Sequence, residues 1–441
     1  MGAVDTTYVA PPPAPATVEE SGLNIDLLVQ LLLKTLHLAG TLSGLELSAR
    51  LGLPFSVLEP ALDDLKWQHH CEIVSGSIIG GAAFKYRITD AGRERAALFL
   101  GNNHYVGVAP VPLQQYRAYM RRFRESVGND VTPARVREAF GHLVLSDRIL
   151  DQLGPAVRAG RSLFLYGPPG NGKTAIAQAV GSLLTGEIAI PSAIEVEGSI
   201  ITFFDPVNHQ AVPAGESEDT DTGLAQAPAA DRRWVRCRRP TIMVGGELTL
   251  DSLEVSYSPT AGFYRAPVQA IANGGVLVID DFGRQHCSPR DLLNRWIVPL
   301  ETGHDFLTLE TGLKFDFPFA TLVIFATNVK PAELVDEAFL RRIQYKVFAE
   351  SPTERDFLKI FENHCRTVGI EYDAALVESM LAGYFRPRRI ALRGCQPRDL
   401  VNQALSMAEY SAQPRRLTED LLAAACNSYF VDDAEPAPVP A

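Results

Sequence analysis

The chain has 441 residues and a formal net charge of −11, and 46% of its residues are hydrophobic. This length predicts about three domains. The acidic balance argues against a general nucleic-acid binder, although it leaves room for a local basic face. The six cysteines form no CxxC pair, which is typical of reduced thiols and argues against a disulfide framework or a zinc site.

The ends of the chain lack the residues that build a core. Residues 1–20 and 432–441 are rich in proline and alanine, so we expect a disordered leader and tail. No signal peptide is visible, and the most apolar segment, Ile25–Ala39, contains polar residues. That segment is too short and too polar to span a bilayer. We therefore predict a cytoplasmic protein without membrane insertion.

Residues 21–100 show helical and then strand-like hydrophobic patterns. The predicted elements are helices Ile25–Ala39, Gly44–Leu51 and Ser56–His70, strands Glu72–Ser75 and Phe84–Ile88, and a final helix. This order resembles a winged-helix domain, an α+β fold that often binds DNA. The region has seven basic against eight acidic residues, and its third helix carries Glu59, Asp63 and Asp64. Because acidic groups would repel phosphates, we favour a protein-binding role, with DNA binding as the alternative.

The next segment, residues 101–130, is a predicted linker that contains Arg117, Arg121, Arg122 and Arg124. Such a basic helical face is usually solvated, and less often meets an acidic partner or nucleic acid. Farther along, Glu216–Ala230 is acidic and predicts a mobile surface insertion. The basic stretch Arg232–Arg239 that follows is interpreted either as a contact for a substrate or neighbouring subunit, or as an exposed edge.

The stretch GPPGNGKT fits the phosphate-loop pattern. Strand-like residues 163–166 precede it and a helical pattern follows, as this motif requires. Glycines let successive N–H groups face one anion, the lysine reaches the terminal phosphates of ATP, and the threonine hydroxyl can ligate Mg²⁺. The predicted nucleotide-binding residues are Gly167, Pro168, Pro169, Gly170, Asn171, Gly172, Lys173 and Thr174, the last also as a metal ligand.

A second motif is the apolar run Val276–Ile279 followed by two carboxylates. Ligands of open α/β sheets bind at the carboxyl ends of buried parallel strands. We therefore assign Asp280 to Mg²⁺ and Asp281 to the attacking water. This arrangement is a Walker B motif.

The order of these motifs resembles that of an AAA+ ATPase, and three later segments extend the resemblance. Ala320–Asn328 matches the sensor-1 strand, with Asn328 beside the attacking water. Asp336–Ile343 resembles the segment that gives an arginine finger to the next subunit, with Arg342 slightly favoured over Arg341. Gly394–Leu400 resembles sensor 2, with Arg398 reaching the phosphates.

The resemblance implies an α/β fold with a P-loop parallel sheet flanked by helices in residues 131–350, and a helical lid in residues 351–431. One residue departs from the family, which usually has Asp-Glu at Walker B, where this chain has Asp281. A carboxylate set back by about 1.5 Å can cost about a hundredfold in rate. Slow hydrolysis is therefore expected, with non-hydrolytic switching as the alternative.

The segment between Walker B and sensor 1 indicates which branches of the AAA+ family the chain resembles. A predicted helix, Leu292–Glu301, and a hairpin of residues 305–309 and 313–317 are found there, as in MoxR-type chaperones and enhancer-binding activators. The activators' GAFTGA loop is missing from Ser258–Pro267, which makes that branch unlikely.

Taken whole, the chain most resembles bacterial AAA+ proteins described as predicted ATPases with chaperone activity associated with Flp pilus assembly. The resemblance implies a Mg²⁺-dependent ATPase that forms a ring, expected to be a hexamer, and remodels an unidentified protein client. The alternative is an ATP-gated DNA-binding transcriptional regulator that uses the winged helix.

Overall fold

The computed structural model of the chain describes residues 8–75, 81–126, 130–213, 229–334 and 337–430. The chain forms two compact units, one of Met1–Asp130, Leu184–Ile279 and Arg284–Val323, the other of Val131–Leu183, Asp280–Gly283 and Ile324–Ala441. The predicted tail and most of the predicted insertion Glu216–Ala230 lie outside the described residues.

The described part of the chain alternates between helices and short strands. The α-helices are α1 Val18–Ser21, α2 Ile25–Ala39, α3 Gly44–Leu51, α4 Phe55–Trp67, α5 Asp90–Asn102, α6 Leu113–Ser126, α7 Pro133–Ala139, α8 Asp147–Arg158, α9 Lys173–Leu183, α10 Val268–Ile271, α11 Pro289–Thr302, α12 Pro331–Leu334, α13 Glu337–Leu340, α14 Glu354–Val368, α15 Ala374–Met380, α16 Gln396–Tyr410 and α17 Glu419–Tyr429. The strands are β1 Thr41–Ser43, β2 Cys71–Ser75, β3 Lys85–Ile88, β4 Val111–Pro112, β5 Leu163–Tyr166, β6 Glu187–Pro191, β7 Ala193–Val196, β8 Ser199–Thr202, β9 Trp234–Arg238, β10 Thr241–Val244, β11 Ser256–Ser258, β12 Phe263–Arg265, β13 Val276–Ile279, β14 His304–Thr308, β15 Lys314–Pro318, β16 Leu322–Thr327 and β17 Tyr345–Phe348.

The N-terminal part of the first unit contains the predicted helices and hairpin. Helix α3 starts at a capping box in which Ser43 and Glu46 satisfy each other's backbone N–H groups. The small antiparallel sheet has the order β1-β3-β2. Helix α4 ends at Trp67, three residues before the predicted end, and His69 then adopts a left-handed φ of 57°. The winged-helix identity of this region remains a prediction.

The predicted disordered leader is ordered from residue 8 onward, so this prediction is wrong for residues 8–20. The Ala14 N–H donates to the Ala229 carbonyl at 2.7 Å. The Tyr119 hydroxyl donates to the Val9 carbonyl at 3.0 Å, and the Arg236 guanidinium lies 4.7 Å from the centre of the Tyr8 ring. The composition of residues 1–20 could not reveal this, because the residues that contact the segment are distant in sequence.

The rest of the first unit is built around a mixed sheet of order β11-β12-β8-β7-β4 and two antiparallel pairs, β6-β9 and β14-β15. Helix α6 packs the buried side chains of Tyr116, Tyr119 and Met120 into the core. The predicted helix before the hairpin is α11, and the hairpin itself is β14-β15, so both are confirmed.

The basic stretch Arg232–Arg239 contains β9, and its arginines differ in their exposure to solvent. The Arg233 guanidinium is fully buried in an ion pair with Asp231 at 2.8 Å. It also donates to the Ser21 and Pro110 carbonyls. Arg233 therefore connects the N-terminal segment to the core, because a buried charge must be paired and hydrogen-bonded.

The main sheet is parallel and has the strand order β10-β13-β16-β5-β17. Leu163 at the start of β5 pairs with Ile324 of β16 on one side and with Tyr345 of β17 on the other. The central strands are buried, as expected for a parallel sheet covered by helices. The predicted α/β fold class is confirmed.

Helices α14 to α17 form a compact helical region with its own core, which includes Phe357, Phe361 and Leu400. A capping box of Thr353 and Asp356 starts α14. Between α15 and α16 the segment Leu381–Phe385 is a π-helix. No helix among the described residues is long and apolar enough to cross a membrane.

Candidate functional site

The loop between β5 and α9 adopts a backbone that requires glycine. Gly167 has a φ of 151°, and a Cβ at this position would lie 2.4 Å from the Ala349 carbonyl oxygen. Gly170 has a left-handed φ of 80°, and a Cβ there would lie 2.6 Å from the Cys395 sulfur. No other side chain fits without displacing these neighbours. The predicted order of strand, glycine loop and helix is present.

Lys173 is buried at the start of α9, with 7% of its surface exposed. Its ammonium donates to the carbonyls of Gly167 at 3.0 Å and Pro168 at 2.9 Å, so the loop folds around its own lysine. Burial lowers the pKa of this ammonium, while the nearby carboxylates of Asp280 and Asp281 oppose that shift.

The first carboxylate after β13 faces the loop. The Thr174 hydroxyl donates to Asp280 Oδ2 at 2.6 Å. The hydroxyl and carboxylate oxygens are therefore adjacent, and both are hard oxygen ligands of the type that Mg²⁺ prefers. Mg²⁺ usually takes one or two protein oxygens and completes its shell with phosphate and water. The predicted metal ligands Thr174 and Asp280 fit such an ion.

The second carboxylate meets the end of β16. The Asn328 side-chain amide donates to Asp281 Oδ1 at 3.1 Å. The two strand ends are held together here, because the Phe282 N–H donates to the Ala326 carbonyl and the Thr327 hydroxyl donates to the Phe282 carbonyl, both at 2.7 Å. The structure thus brings predicted residues from separate motifs into contact.

The backbone at Asp281 explains why a short side chain suits this position. Asp281 has a left-handed φ of 47°. Aspartate is several-fold enriched in this region among non-glycine residues, because its short side chain can hydrogen-bond locally. The Asp281 N–H donates to the Asp280 carboxylate at 3.0 Å. The shorter carboxylate is therefore suited to the local backbone, which the sequence alone did not reveal.

Asn328 has one polar atom without a described partner. Its Oδ1 is buried and accepts no hydrogen bond from the residues that the structure describes. Because Asp281 can only accept when ionised, the NH₂ group must face it, and Oδ1 must face the other way. A buried acceptor without a partner costs about 1–3 kcal/mol. A donor such as a water molecule would remove that cost.

The helical region of α14 to α17 contacts the glycine loop through residues at the start of the predicted sensor-2 segment. The Cys395 N–H donates to the Gly170 carbonyl at 2.8 Å, and the Gly394 N–H donates to Asn171 Oδ1 at 3.4 Å. Arg393 donates to the Ser351 hydroxyl at 2.6 Å and is close enough to lower the pKa of Lys173. Sequence reasoning missed Arg393, although it is adjacent to the Gly394–Leu400 segment.

Arg398, the predicted sensor-2 residue, has a different environment. Its guanidinium donates to Asp399 Oδ1 at 2.9 Å, and this bond raises the pKa of Arg398. Tyr429 donates to the other oxygen of Asp399 at 3.2 Å. A phosphate would have to compete with this carboxylate for Arg398. The assignment of Arg398 remains a prediction, and Arg393 is a second candidate for the same role.

The predicted finger arginines follow α13. The N–H groups of Arg341 and Arg342 donate to the Glu337 and Phe339 carbonyls at 3.1 and 2.9 Å. The Arg341 side chain is exposed, and that of Arg342 is half-buried. Their role concerns a neighbouring subunit, so both remain candidates.

One family model and several solved structures are similar to parts of this chain. A family model described as a domain of unknown function (DUF8689) matches residues 353–428, which include helices α14 to α16 and most of α17. No curated protein matches the chain.

Two solved structures resemble it distantly. NtrX from Brucella abortus in complex with ATP is 13% identical with a TM-score of 0.40, and the match covers 74% of this chain and 63% of NtrX. The Thermotoga maritima RuvB Holliday junction branch migration motor is 17% identical with a TM-score of 0.36, covering 65% of this chain and 69% of RuvB. The chain thus spans less than two thirds of NtrX, and similarity at this level does not decide what it does.

Proposed function

We propose that the chain binds ATP together with Mg²⁺ and hydrolyses it at the carboxyl ends of β5, β13 and β16. This proposal depends on one observation: two adjacent carboxylates contact different parts of the site. Asp280 contacts Thr174, the metal-ligand position of the loop, whereas Asp281 contacts Asn328. A site for phosphoryl transfer needs both a metal ligand and a group that orients the attacking water.

The residues of the loop would bind the phosphates. The backbone N–H groups of Gly167–Thr174 and the start of α9 offer an anion site. Lys173 would exchange the carbonyls of Gly167 and Pro168 for phosphate oxygens, which are stronger acceptors because they are charged. Bound Mg²⁺ would neutralise part of the phosphate charge, and Thr174 and Asp280 would be its protein ligands.

The water would be oriented by the second pair. Asp281 would accept one of its hydrogen bonds, and the Asn328 side-chain amide would hold that carboxylate in place. Asp281 is held through its own N–H and through Asn328, so the pair is positioned before ATP binds. Because the carboxylate is short, we expect slow turnover.

We further propose that ATP lies at the junction between subunits of a ring, taken as a hexamer, and that Arg342 acts in the neighbour's site. Arg342→Ala should leave ATP binding intact and lower the turnover of the assembled protein by about a thousandfold. Arg341→Ala is the matched control, and phosphate release is the readout. Normal turnover of Arg342→Ala would exclude it as the finger, and loss in Arg341→Ala alone would transfer that role.

The proposed biological role is the chaperone-like remodelling of a protein client, with a link to pilus assembly or secretion. It is supported by the sequence resemblance together with the exposed acidic residues Glu59 and Asp63 on α4, which disfavour a DNA target.

Phosphate release measured over a range of protein concentrations tests the shared site. Specific activity should rise with concentration in parallel with assembly observed by sedimentation. Activity that needs Mg²⁺ but is independent of concentration would retain the ATPase proposal and reject the shared site. Absence of both ATP binding and turnover would reject the ATPase proposal.

A further inference from the structure

One face of α6 carries a row of arginines beside the β14-β15 hairpin. Arg117, Arg121 and Arg124 follow one another at intervals of four and three residues, so they lie on the same side of the helix. They extend over about 10 Å along its axis. All three line a cavity of about 710 Å³, to which the hairpin contributes His304 and Asp316. This volume lies within the range of about 300–1,000 Å³ that is typical of ligand sites.

Both ends of the arginine row are held against the residues that line the cavity. Arg117 donates through Nε to the Asp316 carbonyl at 3.0 Å. The Arg124 guanidinium lies against Gly303, where a Cβ would approach its Nη1 to 2.7 Å. Gly303 caps α11 with a left-handed φ of 72°, so a larger residue there would be strained and would displace Arg124. All of these residues belong to the first compact unit.

The acidic groups of the cavity leave two arginines of the row without an ion pair. The Asp316 carboxylate lies 3.0 Å from His304 Nδ1, and Glu125 is the second acid in the lining. Arg121 and Arg124 pair with no carboxylate among the described residues. Three guanidinium charges thus face two carboxylates, and protonation of His304 would add a fourth positive charge. This balance favours an anionic ligand.

The length of the row indicates which anion fits. A single phosphate can contact only neighbouring arginines, because the row extends over about 10 Å. Guanidinium groups bind phosphate oxygens through paired, charge-assisted hydrogen bonds. The described lining contains no phenylalanine, tyrosine or tryptophan on which a nucleotide base could stack. A chain of several phosphates therefore matches the row better than a single phosphate or a nucleotide does.

We propose that this cavity binds a linear anion of three or more phosphate groups along Arg117, Arg121 and Arg124. The phosphates lie side by side with the guanidinium groups, and Arg117 and Arg124 fix the two ends of the row. ATP bound to Mg²⁺ is a poor ligand here, because the metal neutralises part of its phosphate charge. The inference does not depend on the ATPase proposal, since no residue of Gly167–Thr174 lines the cavity.

Calorimetric titration of the full chain with sodium tripolyphosphate, without Mg²⁺, measures this binding. The chain carries Lys173→Ala, so that the glycine loop contributes little, and wild type is titrated in parallel. We expect saturable binding of one tripolyphosphate per chain, at least about tenfold tighter than binding of orthophosphate. Titration with GTP, also without Mg²⁺, distinguishes free phosphate chains from nucleotides as the source of the phosphates. GTP should bind no more tightly than tripolyphosphate.

Substitutions of exposed residues on α6 locate the site. Arg121→Gln should weaken tripolyphosphate binding by about tenfold, because a charge-assisted contact is lost. The matched control is Arg122→Gln, which makes the same change one residue away. The Arg122 guanidinium lies 5.9 Å from the centre of the Tyr119 ring and does not line the cavity, so its loss should change the affinity by less than about twofold.

The acid in the lining gives a prediction of the opposite sign. Glu125→Gln should strengthen tripolyphosphate binding by about twofold, because it removes a negative charge from the cavity. A general disturbance of the helix would weaken binding instead. Circular dichroism checks that each variant is folded.

The proposal is overturned if tripolyphosphate does not bind. Equal weakening by Arg121→Gln and Arg122→Gln would indicate diffuse attraction to a basic helix. Binding to wild type that disappears in Lys173→Ala would place the phosphates in the glycine loop, which would retain the ATPase proposal and reject this one. Binding of GTP at least about tenfold more tightly than tripolyphosphate would assign the cavity to nucleotides. Binding of duplex DNA alone, dependent on Arg121, would assign it to nucleic acid.

Discussion

Two buried lysines in this chain have nearly the same immediate chemistry. Lys34 lies in α2 with 1% of its surface exposed, and its ammonium donates to the Asn103 carbonyl at 3.1 Å. Lys173 is 7% exposed and donates to two carbonyls of its own loop. Burial lowers the pKa of both ammonium groups, to about 8 for Lys34.

The two lysines differ in the residues that surround them. Lys173 has Asp280 and Asp281 close enough to raise its pKa, and it belongs to a loop whose backbone requires glycine. The pKa shift of Lys34 is caused by burial alone, within a helix rich in buried leucines. A buried, hydrogen-bonded lysine is therefore not by itself a sign of function. The carboxylates and the strained loop identify the lysine of a phosphate site.

The largest expected effect on ATP binding comes from removing Lys173, with removal of Lys34 as the control. Lys173→Ala should weaken ATP binding by about a hundredfold or more, because charge-assisted hydrogen bonds contribute about 1.5–3 kcal/mol each. Lys34→Met should leave ATP binding unchanged. The measurement is the ATP-induced increase in unfolding free energy, which follows the affinity. Equal stabilisation of wild type and Lys173→Ala by ATP would contradict the comparison.

The carboxylates that distinguish Lys173 should affect chemistry more than binding. Asp281→Asn preserves size but removes the charge that orients water, so turnover should fall by about a hundredfold. ATP affinity should change by less than about threefold, because Thr174 and Asp280 are untouched. Phosphate release and equilibrium binding are measured on the same protein. Unchanged turnover would remove Asp281 from the mechanism.

Replacing Arg393 or Arg398 should change ATP affinity less, and it distinguishes between the two arginines. Arg393→Ala should raise the dissociation constant of ATP by about tenfold, since this arginine lies near Lys173. Arg398→Ala should change it by less than about twofold, because Arg398 already pairs with Asp399. The reverse ranking would restore Arg398 as the lid residue that contacts phosphate.

The smallest effect concerns stability alone. Below about pH 8 Lys34 is charged in both the folded and the unfolded chain, and its burial is a cost. Between that pH and the unfolded pKa of about 10.4, the unfolded chain binds more protons, so stability rises with pH. Lys34→Met should flatten this rise and add about 1 kcal/mol at pH 7, after the lost hydrogen bond is subtracted. Urea unfolding across this pH range measures both, and a steeper rise in the variant would contradict the assignment.

Local patterns predicted most of the elements and one side of the site. The exact bounds of α2 and α3 follow from hydrophobic periodicity. The positions of Lys173 and Thr174 at the start of α9, and of Asp280 and Asn328 just after strands, follow from motif spacing. Such signals depend on neighbours within a few residues. They are therefore readable without knowing the fold.

Other features depend on contacts between distant residues and could not be read in this way. The ordered leader is held by Tyr119 and Ala229, and Arg393 reaches the site because Cys395 hydrogen-bonds to Gly170. The left-handed backbone of Asp281 arises where β13 ends. No pattern within a short window specifies any of these.

Calorimetric titration of the full chain with ATP in the presence of Mg²⁺ tests the central claim most directly. We predict saturable binding of one ATP per chain that weakens when Mg²⁺ is removed. Binding should weaken by about a hundredfold or more in Lys173→Ala and remain unchanged in Lys34→Met. The absence of binding to the wild type, or binding that survives Lys173→Ala at full strength, would contradict the account.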